Sequence, residues 1–165
     1  MPFKNDLASL VDETHQGKSY GEIAASSVGA LGGLTHTEAA KVMDALDVKS
    51  IEELATSKYV LWAQAIAHLA KFEKIDATKV GTDQAFNPSL AAILDSKWEK
   101  RPLREIAKAS PAVLSGISRK EADLLAEALQ VKTVEELATN RFVLVAQVIA
   151  HLAKYEATSP LKKAA

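Results

Sequence analysis

The chain has no cysteine, which excludes disulfides, thiolate metal ligands and a thiol nucleophile. Glycine and proline are scarce at 7 and 5 residues, and aromatic residues make up only 5%. Few turn breakers and few strand formers leave little material for an antiparallel β fold. Neither sign of charge dominates: 20 basic and 21 acidic side chains give a net charge of −1. That balance provides no general attraction to nucleic acid or to an anionic membrane. Long apolar runs are missing too. The longest, Tyr59–Ala67, is broken by Gln64 and followed by His68 and Lys71, far short of a membrane span. Met1–Lys18 holds no seven-residue apolar stretch and no small-residue cleavage site, so the expected location is cytoplasmic, without a membrane partner. What is present is alanine, 29 of 165 residues, in a chain 48% hydrophobic and 25% charged. Rich in the strongest helix former and well supplied with core residues, it reads as an all-α globular protein.

The sequence is written twice. Shifted by 83 residues, the stretch from Glu22 to Glu73 lies on Glu105 to Glu156 without a gap, and 28 of the 52 pairs are identical. Upstream, Phe3/Phe86, Leu7/Leu90, Ala8/Ala91 and Asp12/Asp95 also coincide. A period of this kind marks an internal duplication. The expected organisation is helical repeat 1 at residues 1–82 and helical repeat 2 at 83–165, packed together as one globular unit. Lys74–Ser89, punctuated by Gly81, Asn87 and Pro88, reads as the join.

Capping boxes place the helix starts. A Ser or Thr followed three residues later by Glu occurs at Ser19/Glu22, Thr35/Glu38, Ser50/Glu53, Ser118/Glu121 and Thr133/Glu136. Ser110-Pro111 adds a start with proline at the first helical position. Helices are expected at 4–14, 20–31, 36–46, 51–56 and 58–73, and again at 87–97, 103–115, 119–129, 134–139 and 141–156. Short connections between them imply that neighbouring helices fold back on one another. The last helix of each repeat is apolar nearly all round. Its polar stripe is Gln64, His68 and Lys71, repeated as Gln147, His151 and Lys154. Such a helix suits the spine of its bundle or of the contact between bundles. Its alanines (Ala63, Ala67 and Ala70, with Ala146, Ala150 and Ala153) allow close approach by neighbours.

Between the second and third helices stand LGGLTHTEAAKVMDAL and LSGISRKEADLLAEAL, followed by VKSIEELA and VKTVEELA. An apolar residue, a glycine, another apolar residue, a capping hydroxyl and then a helix resemble the helix-hairpin-helix family over Ser27–Ala55 and Ser110–Ala138. The resemblance implies a pair of compact bundles that bind either protein or duplex DNA without sequence preference. In that family a Gly-hydrophobic-Gly turn offers its amides to a backbone phosphate. Here the first glycine is Gly33 or Gly116, and the second is replaced by Thr35 or Ser118. A β-carbon hinders phosphate approach there, and a capping hydroxyl competes for the same amides. Residues 1–82 carry 8 basic and 11 acidic side chains, net −3; residues 83–165 carry 12 and 10, net +2. A phosphate contact would therefore fall to repeat 2, at Gly116, Ile117, Ser118, Arg119 and Lys120 with Arg101 and Arg104 nearby. The simpler reading of these charges is a solvated helix face.

Two further patterns bear on chemistry. His68 and His151 occupy equivalent places, and two imidazoles brought together could ligate a haem or a metal ion. Duplication alone also accounts for them. The adjacent carboxylates Glu52-Glu53 and Glu135-Glu136 lie in a first helical turn, where they complement the helix dipole. No GxSxG, HExxH, GxGxxG or phosphate-loop motif occurs. The sequence thus points to a non-catalytic binding or scaffold protein that engages a protein partner or itself, with no cofactor. Duplex DNA binding through repeat 2, and haem or metal binding by the paired histidines, stand as the alternatives.

Overall fold

Side chains that satisfy free amide groups decide where the helices begin. In the computed structural model, which describes residues 9–158, α1 (Tyr20–Ala25), α2 (His36–Leu46) and α7 (Arg119–Leu129) each start with a complete reciprocal capping box. At α2 the Glu38 amide donates to Thr35 Oγ1 over 3.2 Å, and the Thr35 amide donates to the Glu38 carboxylate over 2.9 Å. α3 (Ile51–Ala55) and α8 (Val134–Thr139) have half of this device. Their Glu53 and Glu136 carboxylates reach one residue further back, to the amides of Lys49 and Lys132. α2 and α7 both end at a left-handed residue, Asp47 at φ 52° and Gln130 at φ 57°.

Several elements are shorter than the apolar pattern suggests. The helix expected over 20–31 stops at Ala25, because Ser26 and Ser27 bind neighbouring backbone groups and turn the chain into a 3₁₀ turn, Val28–Ala30. The helix expected over 103–115 is α6 (Leu103–Lys108). Ala109 is extended at ψ 162° ahead of Ser110-Pro111, and the 3₁₀ turn Pro111–Val113 follows. In place of 87–97 there is one helical turn, α5 (Pro88–Ala91), then a 3₁₀ turn at Ser96–Trp98. Of the expected helix 4–14, residues 4–8 lie outside the described residues; Glu13–His15 forms a 3₁₀ turn. The two long helices are α4 (Lys58–Ala70) and α9 (Arg141–Thr158). Extended backbone among the described residues is confined to isolated bridges such as Ser27 with Ser50, so the chain is all-α. No helix among these residues is long and apolar enough to cross a membrane.

The chain packs as two compact units, Met1–Ser57 with Arg141–Ala165, and Lys58–Asn140. This division differs from the repeats at 1–82 and 83–165: the long helix of each sequence repeat belongs to the unit built on the other. In unit 1, α9 packs against α1 and α3, burying Val143, Ala146 and Ile149 in a core with Ile23, Val28, Leu31, Val42, Ile51 and Leu54. In unit 2, α4 packs against α6 and α8, burying Val60, Ala63 and Ile66 with Ile106, Leu114, Leu125, Val134 and Leu137. Alanines 63 and 146 are fully buried, which is the close helix approach that the small residues allow. Hairpin-like return at these helices is not what the chain does. Only Thr56 and Ser57 stand between α3 and α4, and only Asn140 between α8 and α9.

Candidate interaction faces of the long helices

Each long helix has three kinds of surface. Its buried face, as above, makes the core. A polar edge ties it to the unit that receives it. Gln64 Nε2 donates to the Ala138 carbonyl at 3.2 Å in unit 2, and Gln147 Nε2 donates to the Ala55 carbonyl at 3.2 Å in unit 1. Those carbonyls stand at the ends of α8 and α3, where helix geometry leaves acceptors open. A glutamate near the end of each long helix does the converse at a helix start: Glu73 just past α4 and Glu156 in the last turn of α9. Glu73 accepts from the amides of Leu103 at 2.6 Å and Arg104 at 3.3 Å, and Glu156 accepts from those of Tyr20 at 2.9 Å and Gly21 at 3.4 Å. A carboxylate on a helix N-terminus satisfies orphan donors and opposes the dipole. These two glutamates were not singled out by the sequence reading, although they end the run of identities between the repeats.

The third surface faces solvent and is apolar. On α4 and just past its end it comprises Leu61, Ala65, Leu69 and Phe72; on α9 it comprises Leu144, Val148, Leu152 and Tyr155. Phe72 is 81% exposed, Tyr155 64%, Leu61 and Leu69 47%, Leu144 and Val148 43%. His68 and His151 lie exposed in the same stripes, and the His151 ring meets Tyr155 edge-on with centroids 5.2 Å apart. On α9 the residues Leu144, Gln147, Val148, His151 and Leu152 line a shallow, open, apolar trough. The apolar positions 61, 65, 69, 72 and their counterparts 144, 148, 152, 155 have 4-4-3 spacing, one side of a helix on which another helix can pack. Exposed Lys58, Lys71 and Lys74 border the first stripe, and Arg141 and Lys154 the second.

The residues read for nucleic acid fall out differently. Gly116 is left-handed at φ 100°, and a Cβ there would stand 2.6 Å from the Tyr59 hydroxyl. That hydroxyl donates to the Gly116 carbonyl at 3.3 Å, so Tyr59 of α4 touches the turn, while Gly116 itself stays exposed. Ile117 is buried. The Ser118 amide donates to the Glu121 carboxylate at 2.6 Å and its hydroxyl accepts from the Glu121 amide, which commits the groups a phosphate would use. Arg101 pairs with Glu105 at 2.9 Å, and Arg104 Nη2 donates to the Glu73 carbonyl at 3.2 Å. Arg119 and Lys120 are exposed. His68 belongs to unit 2 and His151 to unit 1; no group of three or more His, Asp or Glu among the described residues is placed to hold a metal ion.

No protein-family model, curated protein or solved structure matches this chain.

Proposed function

We propose that the protein is a non-catalytic binding scaffold, with helix-hairpin-helix-like cores holding two long helices whose solvent-facing stripes each dock an amphipathic helix of a protein partner. One observation carries the reading: the same apolar stripe with the same 4-4-3 spacing faces solvent at both places, 83 residues apart. Single exposed apolar side chains are ordinary, but a contiguous row including an aromatic 81% exposed marks an interaction surface. Helix-in-groove recognition uses anchors at this spacing. The lysines and arginine along the borders favour an acidic polar flank on the incoming helix. The phosphate reading of Gly116–Lys120 has less support, since the capping box occupies the Ser118 and Glu121 amides and Tyr59 already bonds the Gly116 carbonyl.

A photo-crosslinking residue placed at Val148, with the same residue at Lys132 as an exposed control away from the stripe, tests this in the native cell extract. The expected result is a discrete protein adduct at position 148, absent at 132 and lost when Leu144→Glu is added with helicity unchanged. Equal labelling at both positions would remove the proposal.

A further inference from the structure

We infer that α9 is exchangeable between molecules, so that a second copy of this chain can donate its α9 to unit 1 and receive the first chain's α9 in return. The occupant is specified by the structure itself. Unit 1 is made from two pieces of chain, 1–57 and 141–165, and the α9 piece is held by contacts that any identical α9 reproduces: Val143, Ala146 and Ile149 in the core, Gln147 on the Ala55 carbonyl, and Glu156 on the amides of Tyr20 and Gly21. The connection into α9 is the single residue Asn140, extended at ψ 136°. One residue cannot reverse the chain, so α9 must leave the element before it and find a receiving groove elsewhere. Short hinges of this kind lower the difference between a groove in the same chain and one in a second chain. None of these contacts uses the solvent-facing stripe, so the exchange is independent of the proposed partner binding.

The full-length protein is unfolded in denaturant, refolded at about 5 μM and at about 1 mM, and its mass measured by light scattering after chromatography. Mass action at the refolding step predicts a dimer fraction at least about tenfold higher at the upper concentration. The dimer keeps the helical content of the monomer, persists for hours on dilution, and returns to monomer after unfolding and refolding at low concentration. Inserting Gly-Ser-Gly-Ser after Asn140 lowers the dimer fraction severalfold, whereas Leu144→Glu with Val148→Glu leaves it unchanged. Monomer at every refolding concentration would overturn the inference. So would a dimer that exchanges within seconds on dilution, or one abolished by the two stripe substitutions, because each of those results assigns the association to the stripe surface.

Discussion

The turns that precede α2 and α7 occupy matching places, yet they tolerate change to different degrees. In unit 1, Gly33 sits at φ 86° and a Cβ there would find only the Phe142 ring, at 3.8 Å. In unit 2, Gly116 sits at φ 100°, and Tyr59, the counterpart of Phe142, brings a hydroxyl to 2.6 Å from the same point. Both glycines are needed for their left-handed backbone. Only Gly116 is also needed for space, and only there does the aromatic return a hydrogen bond to the turn. One oxygen atom therefore converts ordinary ring packing into a close-fitting contact, and unit 2 is the less tolerant of the two.

The largest test compares the two cores. Ile66→Ala and Ile149→Ala, at fully buried positions, each cost about 2–5 kcal/mol. Both tryptophans, Trp62 and Trp98, lie in unit 2, so fluorescence follows unit 2 and circular dichroism follows both units. Ile66→Ala is expected to shift the fluorescence transition to lower urea, and Ile149→Ala to shift the dichroism transition ahead of fluorescence. Coincident curves for Ile149→Ala would show that the units unfold together.

Next come the turns. Gly116→Ala is expected to cost about 2–4 kcal/mol, combining left-handed strain with a forced displacement of Tyr59. Gly33→Ala should cost about 1 kcal/mol, from the backbone alone. Equal losses in urea melts would erase the distinction. Tyr59→Phe sharpens it further: by itself it removes one partly exposed hydrogen bond, worth about 0.5 kcal/mol. Combined with Gly116→Ala it should recover part of the alanine's cost, so the double variant loses less than the sum of the singles.

The smallest effect is a pH dependence. The Lys100 ammonium bonded to Asp83 at 2.6 Å holds that carboxyl below 3.8, as Thr78 does for Asp76 in unit 2 and His15, with Thr14, does for Asp12 in unit 1. A depressed folded pKa contributes stability above the unfolded value of 3.8, and the contribution is lost as pH falls through the folded value. Melting temperature should therefore fall slightly between pH 5 and pH 3, and Asp83→Asn should flatten that slope by lowering the pH 5 value more than the pH 3 value. An unchanged slope would place the effect on the other two carboxyls.

The sequence was most informative where local chemistry decides the outcome. α2, α7 and α8 begin and end where their capping boxes and apolar periods place them. α1 and α6 end early because Ser26-Ser27 and Ser110-Pro111 outweigh an apolar pattern that continues through them. Which unit receives each long helix was not legible. Gln64 and Gln147, like the residues around them, are nearly the same in both repeats, so the pattern does not tell which groove takes which helix, and the single-residue connection at Asn140 is the one available clue. The aromatic contacts with the turns are hidden for a similar reason: Tyr59 and Phe142 look like ordinary first-turn aromatics until their receiving unit is known. In the sequence the solvent-facing stripes merge into a helix apolar nearly all round, because periodicity alone does not tell a buried side from a bare one.

The position of α9 also dictates an order of assembly during synthesis. Unit 2 is a single uninterrupted stretch, 58–140, whereas unit 1 joins Tyr20 to Glu156 across 136 positions. On a translating ribosome, the first 57 residues emerge with their groove unfilled, and the 83 residues of unit 2 must pass before Arg141 arrives. At 5–20 residues per second that interval is about 4–17 s. The first unit begun is thus the last one finished. During that wait, another nascent chain on the same messenger can present a finished α9 to the open groove.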